Sequence, residues 1–216
     1  MKFAMSYSCG KDSALALYRM IQQGHEPVAL VVTVNEAQQR SWFHGVQQEL
    51  LDAVSDSVGI PLVLCRCRPE AYAEAFESGL LRAKEMGAAA CVFGDIDELG
   101  HREWDEARCK AVGLDCVLPL WQQGREALTR EGIEAGLKAM VKIVQLCSLD
   151  ASYLGRTLDW ELAKAIQAAG ADMCGENGEY HTFVYDGPLF RYPVPLENRG
   201  IVEFGTHAAV DLALKK

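Results

Sequence analysis

Short apolar runs and amphipathic stretches alternate along most of the chain. Lys2–Tyr7 is apolar and bounded by small residues, the pattern of a buried strand. Asp12 or Ser13 then opens a helix, in which Ala14, Leu17, Tyr18 and Ile21 recur at helical spacing and Gly24 marks the end. Behind Pro27, the unbroken run Val28–Val34 predicts a strand covered on both faces. His44–Ser57 predicts a helix, Ile60–Cys65 a strand, and Pro69–Met86 a helix stopped at Gly87. Ala89–Phe93 predicts a strand that ends at Gly94 and Asp95. Arg102–Val112 predicts a helix, Cys116–Leu118 a short strand, Glu126–Gly136 a helix and Lys138–Leu146 another apolar strand.

Strand and helix thus alternate about five times, which predicts an α/β fold with a parallel five-stranded sheet and helices on both faces. Ligands of such sheets bind beyond the carboxyl ends of the strands. The loops Ser8–Asp12, Asn35–Phe43 and Gly94–Gly100 fall there. After about Leu149 the pattern changes: Leu158–Ala169 reads as a helix, and Gly175–Arg191 is rich in glycine, aromatics and charge. The expected division is therefore 1–148 for the sheet domain and 149–216 for a small α+β part that binds substrate.

A chain of 216 residues, half of them hydrophobic, can bury a sizeable core in one domain with a small extension. Its net charge of −9 makes it a poor partner for a nucleic-acid backbone. No pair of its 8 cysteines has C-x-x-C spacing, which argues against a zinc ribbon or redox dithiol. The expectation is reduced thiols in the cytoplasm. No apolar stretch approaches the ~18 residues of a membrane span, and no secretory leader is apparent.

The segment Ser8-Cys9-Gly10-Lys11-Asp12-Ser13 joins the first strand to the first helix. Small residues let the backbone approach a phosphate, and N–H groups at a helix start favour an anion. Lys11 adds a positive charge, and Ser8 and Ser13 add hydroxyls. The segment is not an ordinary P-loop, because Met5 and Asp12 stand where that motif needs Gly and Ser or Thr. No two glycines are separated by a single residue, so the dinucleotide fingerprint is absent too. A capped helix start would also account for Asp and Ser here without any ligand.

The hexapeptide resembles the Ser-Gly-Gly-x-Asp-Ser pyrophosphate loop of the N-type ATP pyrophosphatases, the PP-loop superfamily. Cys9 stands at that motif's first Gly; if the position needs φ > 0, cysteine costs roughly 1–2 kcal/mol. Three further segments follow in order. The first is Gly94-Asp95-Ile96 with Arg102, Glu106, Cys109, Gly113-Leu114 and Pro119-Leu120-Trp121. The second is Leu154–Asp159, and the third is Gly175–Val184 running on to Asp186–Phe190. Together, from Met5 to about Phe190, they resemble the diphthine–ammonia ligase family.

That resemblance implies a HUP-like, adenine nucleotide alpha hydrolase fold and an AMP-forming reaction. A substrate carboxylate attacks the α-phosphate of ATP, pyrophosphate leaves, and ammonia displaces AMP from the acyl-adenylate. It implies ATP and Mg²⁺ as cofactors, with Ser8, Cys9, Gly10, Lys11, Asp12 and Ser13 around the pyrophosphate. Thr33 and Val34 would lie near the adenine, and Gly94 and Asp95 near the α-phosphate, with Asp12 and Asp95 as metal ligands. Lys11, Asp12, Glu176, Glu179 and His181 would be catalytic. His44, Gly155, Arg156, Gly175, Gly178 and Thr182 would join Glu176, Glu179 and His181 in binding substrate.

Each role has a plainer alternative: Asp95 as a helix cap, Arg156 paired with Asp159, His44 on a helix surface, and Glu176 and Glu179 as charged hairpin tips. Trp42-Phe43 reads as a lid or a dimer contact. The implied partners are ATP, ammonia and a carboxylate acceptor, namely diphthine on elongation factor 2 where the organism makes it. No membrane partner is expected, nucleic acid is disfavoured, and a homodimer is left open. The alternatives are another acceptor, tRNA or a small molecule, and a sensor that binds adenine nucleotide without turnover.

Overall fold

Strand β1 (Lys2–Ser6) occupies the middle of the first sheet, in a computed structural model that describes residues 1–215. It pairs in parallel with β2 (Glu26–Asn35) on one edge and β5 (Ala90–Val92) on the other. Beyond these, β4 (Leu62–Cys67) pairs with β2 and β6 (Asp115–Val117) with β5, both parallel. The expected five-stranded parallel sheet is present. A two-residue antiparallel strand, β3 (Arg40–Ser41), is added against the end of β2.

Helices cover both faces. Helices α3 (Tyr72–Glu85) and α4 (Leu99–Val112) close one face over Ala4, Val31, Val63 and Cys91. Helices α1 (Lys11–Gln22) and α2 (Gln48–Val58) cover the other, burying Leu15, Leu17, Leu50 and Leu51. Each such leucine contributes roughly 1.5–3 kcal/mol when taken out of water. Helix α2 begins four residues later than the periodicity predicts, since Ser41–Gly45 is a turn. In it the Val46 N–H donates to Ser41 Oγ at 3.0 Å, and Gly45 has φ 57°. His44 therefore belongs to a turn and not to a helix surface.

The second sheet is antiparallel, in the order β8-β7-β10-β9, from β7 (Lys138–Gln145), β8 (Tyr180–Asp186), β9 (Leu196–Phe204) and β10 (His207–Leu214). It takes its first strand from ahead of the expected division at 148/149. Helices α5 (Arg125–Glu134) and α6 (Trp160–Ala168) complete the chain. One core runs from Met5 and Leu30 through α1 into Val141, Phe183 and Val210, so α1 lies between the two sheets. The start of α1 is thereby enclosed by β8 and by the loops that follow β2 and β5. Among the described residues no helix is long and apolar enough to cross a membrane.

Candidate active site

The turn from β1 into α1 combines a left-handed residue, a glycine N-cap and a mostly buried lysine. Cys9 has φ 65°, the left-handed region its glycine-like position foreshadows, and its side chain is fully buried. Burial pushes its thiol up to about 12, so it is no nucleophile. Gly10 occupies the N-cap position of α1, and no local side chain caps the helix. Ser8 Oγ accepts from the Gly10 N–H at 3.2 Å and lies 3.1 Å from Ser13 Oγ, which donates to Gly10 O. Two neighbours press against this turn. A Cβ on Gly94 would stand 2.8 Å from Ser13 N, and one on Gly10 would stand 2.5 Å from His44 Cε1.

Lys11 Nζ lies 2.7 Å from both Asp12 carboxylate oxygens, 3.4 Å from Cys174 Sγ and 4.0 Å from Glu176 Oε1. Burial works against the ammonium, but Asp12, Cys174, Tyr180 and Glu176 outweigh it and hold the proton firmly. Glu176 is pushed up to about 7 by burial and by the Asp12 carboxylate, against the pull of Lys11 and Arg125. Asp12, Cys174 and Glu176 offer ligand atoms within 4.8 Å of one another. Asp95, expected as Asp12's partner at the metal, is outside that group. Its carboxylate contacts His101 Nδ1 at 3.0 Å and repels the buried carboxyl of Asp105. Burial first, then Asp95, raises Asp105 to about 10 and keeps it protonated.

Beside Ser8 opens a cavity of ≈ 50 Å³ with aromatic walls. Thr33 lines it and contacts the Tyr72 hydroxyl at 3.2 Å. Val34, predicted with Thr33, turns into the core on the opposite face, as alternation along a strand requires. Trp42 and Phe43 stand edge-on to Tyr72 at 5.6 and 6.3 Å, so this pair belongs to the cavity wall. Trp104 of α4 closes the far side against Tyr72 and Phe76. The space is small beside the roughly 300–1,000 Å³ of ligand sites.

The C-terminal motif lies across the loop. Thr182 Oγ1 accepts from the Lys11 N–H at 2.9 Å. His44 Nδ1 is 2.7 Å from Thr182 O, and its ring stands 5.0 Å from that of His181. Burial lowers His44 to about 3 and His181 to about 4, so both rings are neutral. Gly175, at φ 74°, has no room for a Cβ beside Tyr180, and Gly178 turns at φ 84°.

Glu179 departs from its expected role. It accepts from the N–H groups of Asp172 and Asn177 and from the Asn177 side chain at 2.9–3.1 Å, so it shapes the turn that presents Glu176. Gly155 and Arg156 are not brought to the loop either. The Arg156 carbonyl accepts from Val141 N–H, and its guanidinium lies 6.0 Å from the Tyr153 ring centroid. Asp159, its alternative partner, caps α6 by accepting from Leu162 N–H at 2.7 Å.

Two known domains match this chain: the diphthamide synthase N-terminal domain over residues 1–116 and the diphthamide synthase C-terminal domain over residues 124–211. The chain belongs to the diphthamide synthase family. The human protein named diphthine–ammonia ligase is 28% identical over 238 residues, covering 99% of this chain and 89% of its own. The mouse protein of that name is likewise 28% identical, over 239 residues with the same coverage. The fission yeast protein of that name is 28% identical across all of this chain but only 39% of its own length. A solved structure described as a predicted subunit of tRNA methyltransferase from Methanocaldococcus jannaschii matches with a TM-score of 0.46 and 14% identity, over 87% of this chain and 98% of that one.

In this member of the diphthamide synthase family several site residues escape the sequence pattern. Arg125 donates to both Asp97 oxygens and to Asp172 and Asn177, tying the loop after β5 to the C-terminal motif. Tyr72 and Trp104 fall inside the predicted helices Pro69–Met86 and Arg102–Val112, and Cys174 is one thiol among many. Only spatial neighbours reveal these roles; no local signal does.

Proposed function

We propose that this chain joins ammonia to a carboxylate at the expense of ATP, releasing AMP and pyrophosphate, with diphthine on elongation factor 2 as the acceptor. One observation carries the reading. Helix α1 starts two residues beyond the left-handed Cys9 with no local side-chain cap, and the Lys11 ammonium lies alongside. The name shared by the relatives supplies the acceptor and the nitrogen source.

The acceptor carboxylate attacks the α-phosphorus, and the bond to the oxygen bridging toward the β-phosphate breaks. That electron pair leaves with pyrophosphate. Ammonia's lone pair then attacks the acyl carbon, AMP departs, and the nitrogen sheds a proton. Positioning and charge neutralisation do most of this work. The turn Ser8–Ser13 and Lys11 would take the pyrophosphate. The cavity walled by Thr33, Tyr72 and Trp104 would take the adenine, with Gly94 letting the loop after β5 come close.

Asp12 and Glu176 are hard oxygen donors suited to Mg²⁺, which commonly binds one or two carboxylates together with substrate phosphates. Cys174 is a poor ligand for it, being a soft donor whose thiol is pushed up to about 11 by burial. When bound, the ion would offset negative charge on the phosphates. Neutral His44 and His181 would face the acceptor. The cytoplasm is the proposed compartment, following the acceptor.

The test incubates the chain with ATP, Mg²⁺, ammonium and elongation factor 2 bearing diphthine. AMP and pyrophosphate should appear in equal amounts with amidated acceptor. Production of ADP instead would overturn the reading.

A further inference from the structure

Strand β7 carries one charged residue inside an apolar stretch. Lys142 is 3% exposed. Across the β7–β8 pairing, Val141 faces Thr182 and Ile143 faces His181, so Lys142 is the extra residue of a β-bulge. Such bulges re-aim a side chain. This one sends the ammonium toward the turn before α2, where Nζ lies 3.4 Å from Gly45 O, long for a hydrogen bond.

Among the described residues no carboxylate lies within ion-pair distance of Lys142. Asp211, whose charge it feels, is turned to Arg40 at 3.9 Å. Burial, then Arg40, pulls Lys142 down to about 8, which leaves it mostly protonated at neutral pH. A buried ammonium without a charged partner costs several kcal/mol that an apolar residue would not. Its charge bears on both His44 and His181, the rings that flank the loop. Lys142 thus sets a cation against Gly45, the neighbour of His44, and one residue before Ile143, which pairs with His181, while the two rings stand 5.0 Å apart.

We propose that Lys142, with His44 and His181, forms the subsite that receives the acceptor's carboxylate. The identity of that carboxylate rests on the function proposed above; the anion subsite does not. In the function proposed above, the nucleotide phosphates are served by the start of α1 and by Lys11, whose charge also bears on both rings.

The test compares wild type with Lys142→Met, or with Lys142→Gln if the methionine variant does not fold. The variant should keep or raise the melting temperature while the KM for diphthine-bearing elongation factor 2 rises about tenfold or more. The KM for ATP should stay unchanged. Acetate, against chloride at equal ionic strength, should raise the melting temperature of wild type and not of the variant. A less stable variant with unchanged acceptor KM would make Lys142 structural and overturn the proposal. An ATP KM that rises in step would assign the lysine to a phosphate and overturn it too. If wild type turns over no diphthine acceptor, the proposed function fails and the acetate comparison alone decides. An acetate shift lost in the variant sustains the subsite, and the absence of any shift in wild type removes it.

Discussion

The backbone N–H of Lys11 donates to the Thr182 hydroxyl at 2.9 Å, joining residues 171 positions apart. The Val184 N–H adds a bond to Cys9 O at 2.8 Å, so β8 lies along the Ser8–Ser13 turn as a second wall. Thr182 thus satisfies an amide at the start of α1 that the proposed function assigns to a phosphate.

Replacing Thr182 with Val keeps the β-branched shape but removes that acceptor. The unsatisfied amide should lower stability by about 1–2 kcal/mol, read from urea unfolding. Pyrophosphate supplies the missing acceptor. It should therefore raise the melting temperature of Thr182→Val by more than that of wild type. Equal shifts would mean that the Lys11 amide does not serve the phosphate.

Cys9 at φ 65° sets strain against burial. Glycine relieves roughly 1–2 kcal/mol of left-handed strain. It forfeits a comparable amount through the lost thiol contact and added backbone freedom. Cys9→Gly should thus leave stability within about 1 kcal/mol of wild type and preserve turnover. Cys9→Val, branched at Cβ, should lose about 2 kcal/mol or more. Unfolding midpoints for the pair check both.

The first sheet is legible in the sequence because each strand–helix alternation is a local signal, and the Ser8–Ser13 turn because its small polar residues sit at one such junction. Strand β7 is not. Its apolar run reads alike in a parallel or an antiparallel sheet, and only pairing with β8 and β10 decides. Lys142 is hidden for the same reason, since a bulge is a property of two strands. Glu176 and Glu179 look equivalent in a glycine-rich loop, yet donors from Asp172 and Asn177 claim one and leave the other beside Lys11.

His181 makes stability depend on pH. Its folded value is about 4, lowered by burial and then by Lys11, His207 and Lys142, against 6.5 in the unfolded chain. A depressed value means that stability is present above pH 6.5 and lost as pH falls toward 4, because the unfolded chain takes the proton first. Each unit in that window is worth about 1.4 kcal/mol, or about 2 kcal/mol at pH 5.0. His181→Gln should therefore gain about that much relative to wild type between pH 7.5 and pH 5.0. His101, which Asp95 raises, works in the opposite direction but cancels in the comparison. Parallel unfolding curves at the two pH values are the measurement; a constant gap would mean that His181 is not held neutral.

Gly94 would bear on the proposed reaction through packing. A Cβ there would meet Ser13 N at 2.8 Å, Asp12 C at 2.9 Å and Ser13 Cα at 3.0 Å, all backbone atoms of the first turn of α1. None can swing aside as a side chain end would, so the loop after β5 or the helix start must shift by some tenths of an ångström. Overpacking of this kind costs about 1–3 kcal/mol. The same shift turns the Asp12 and Ser13 amides away from an oxyanion. Gly94→Ala should therefore remain folded while losing about a hundredfold or more in AMP formation, as small misplacements at reacting centres do. Pyrophosphate titration of the variant separates the two effects, because weakened binding at nearly normal stability is expected only if the helix start, and not the general fold, has moved.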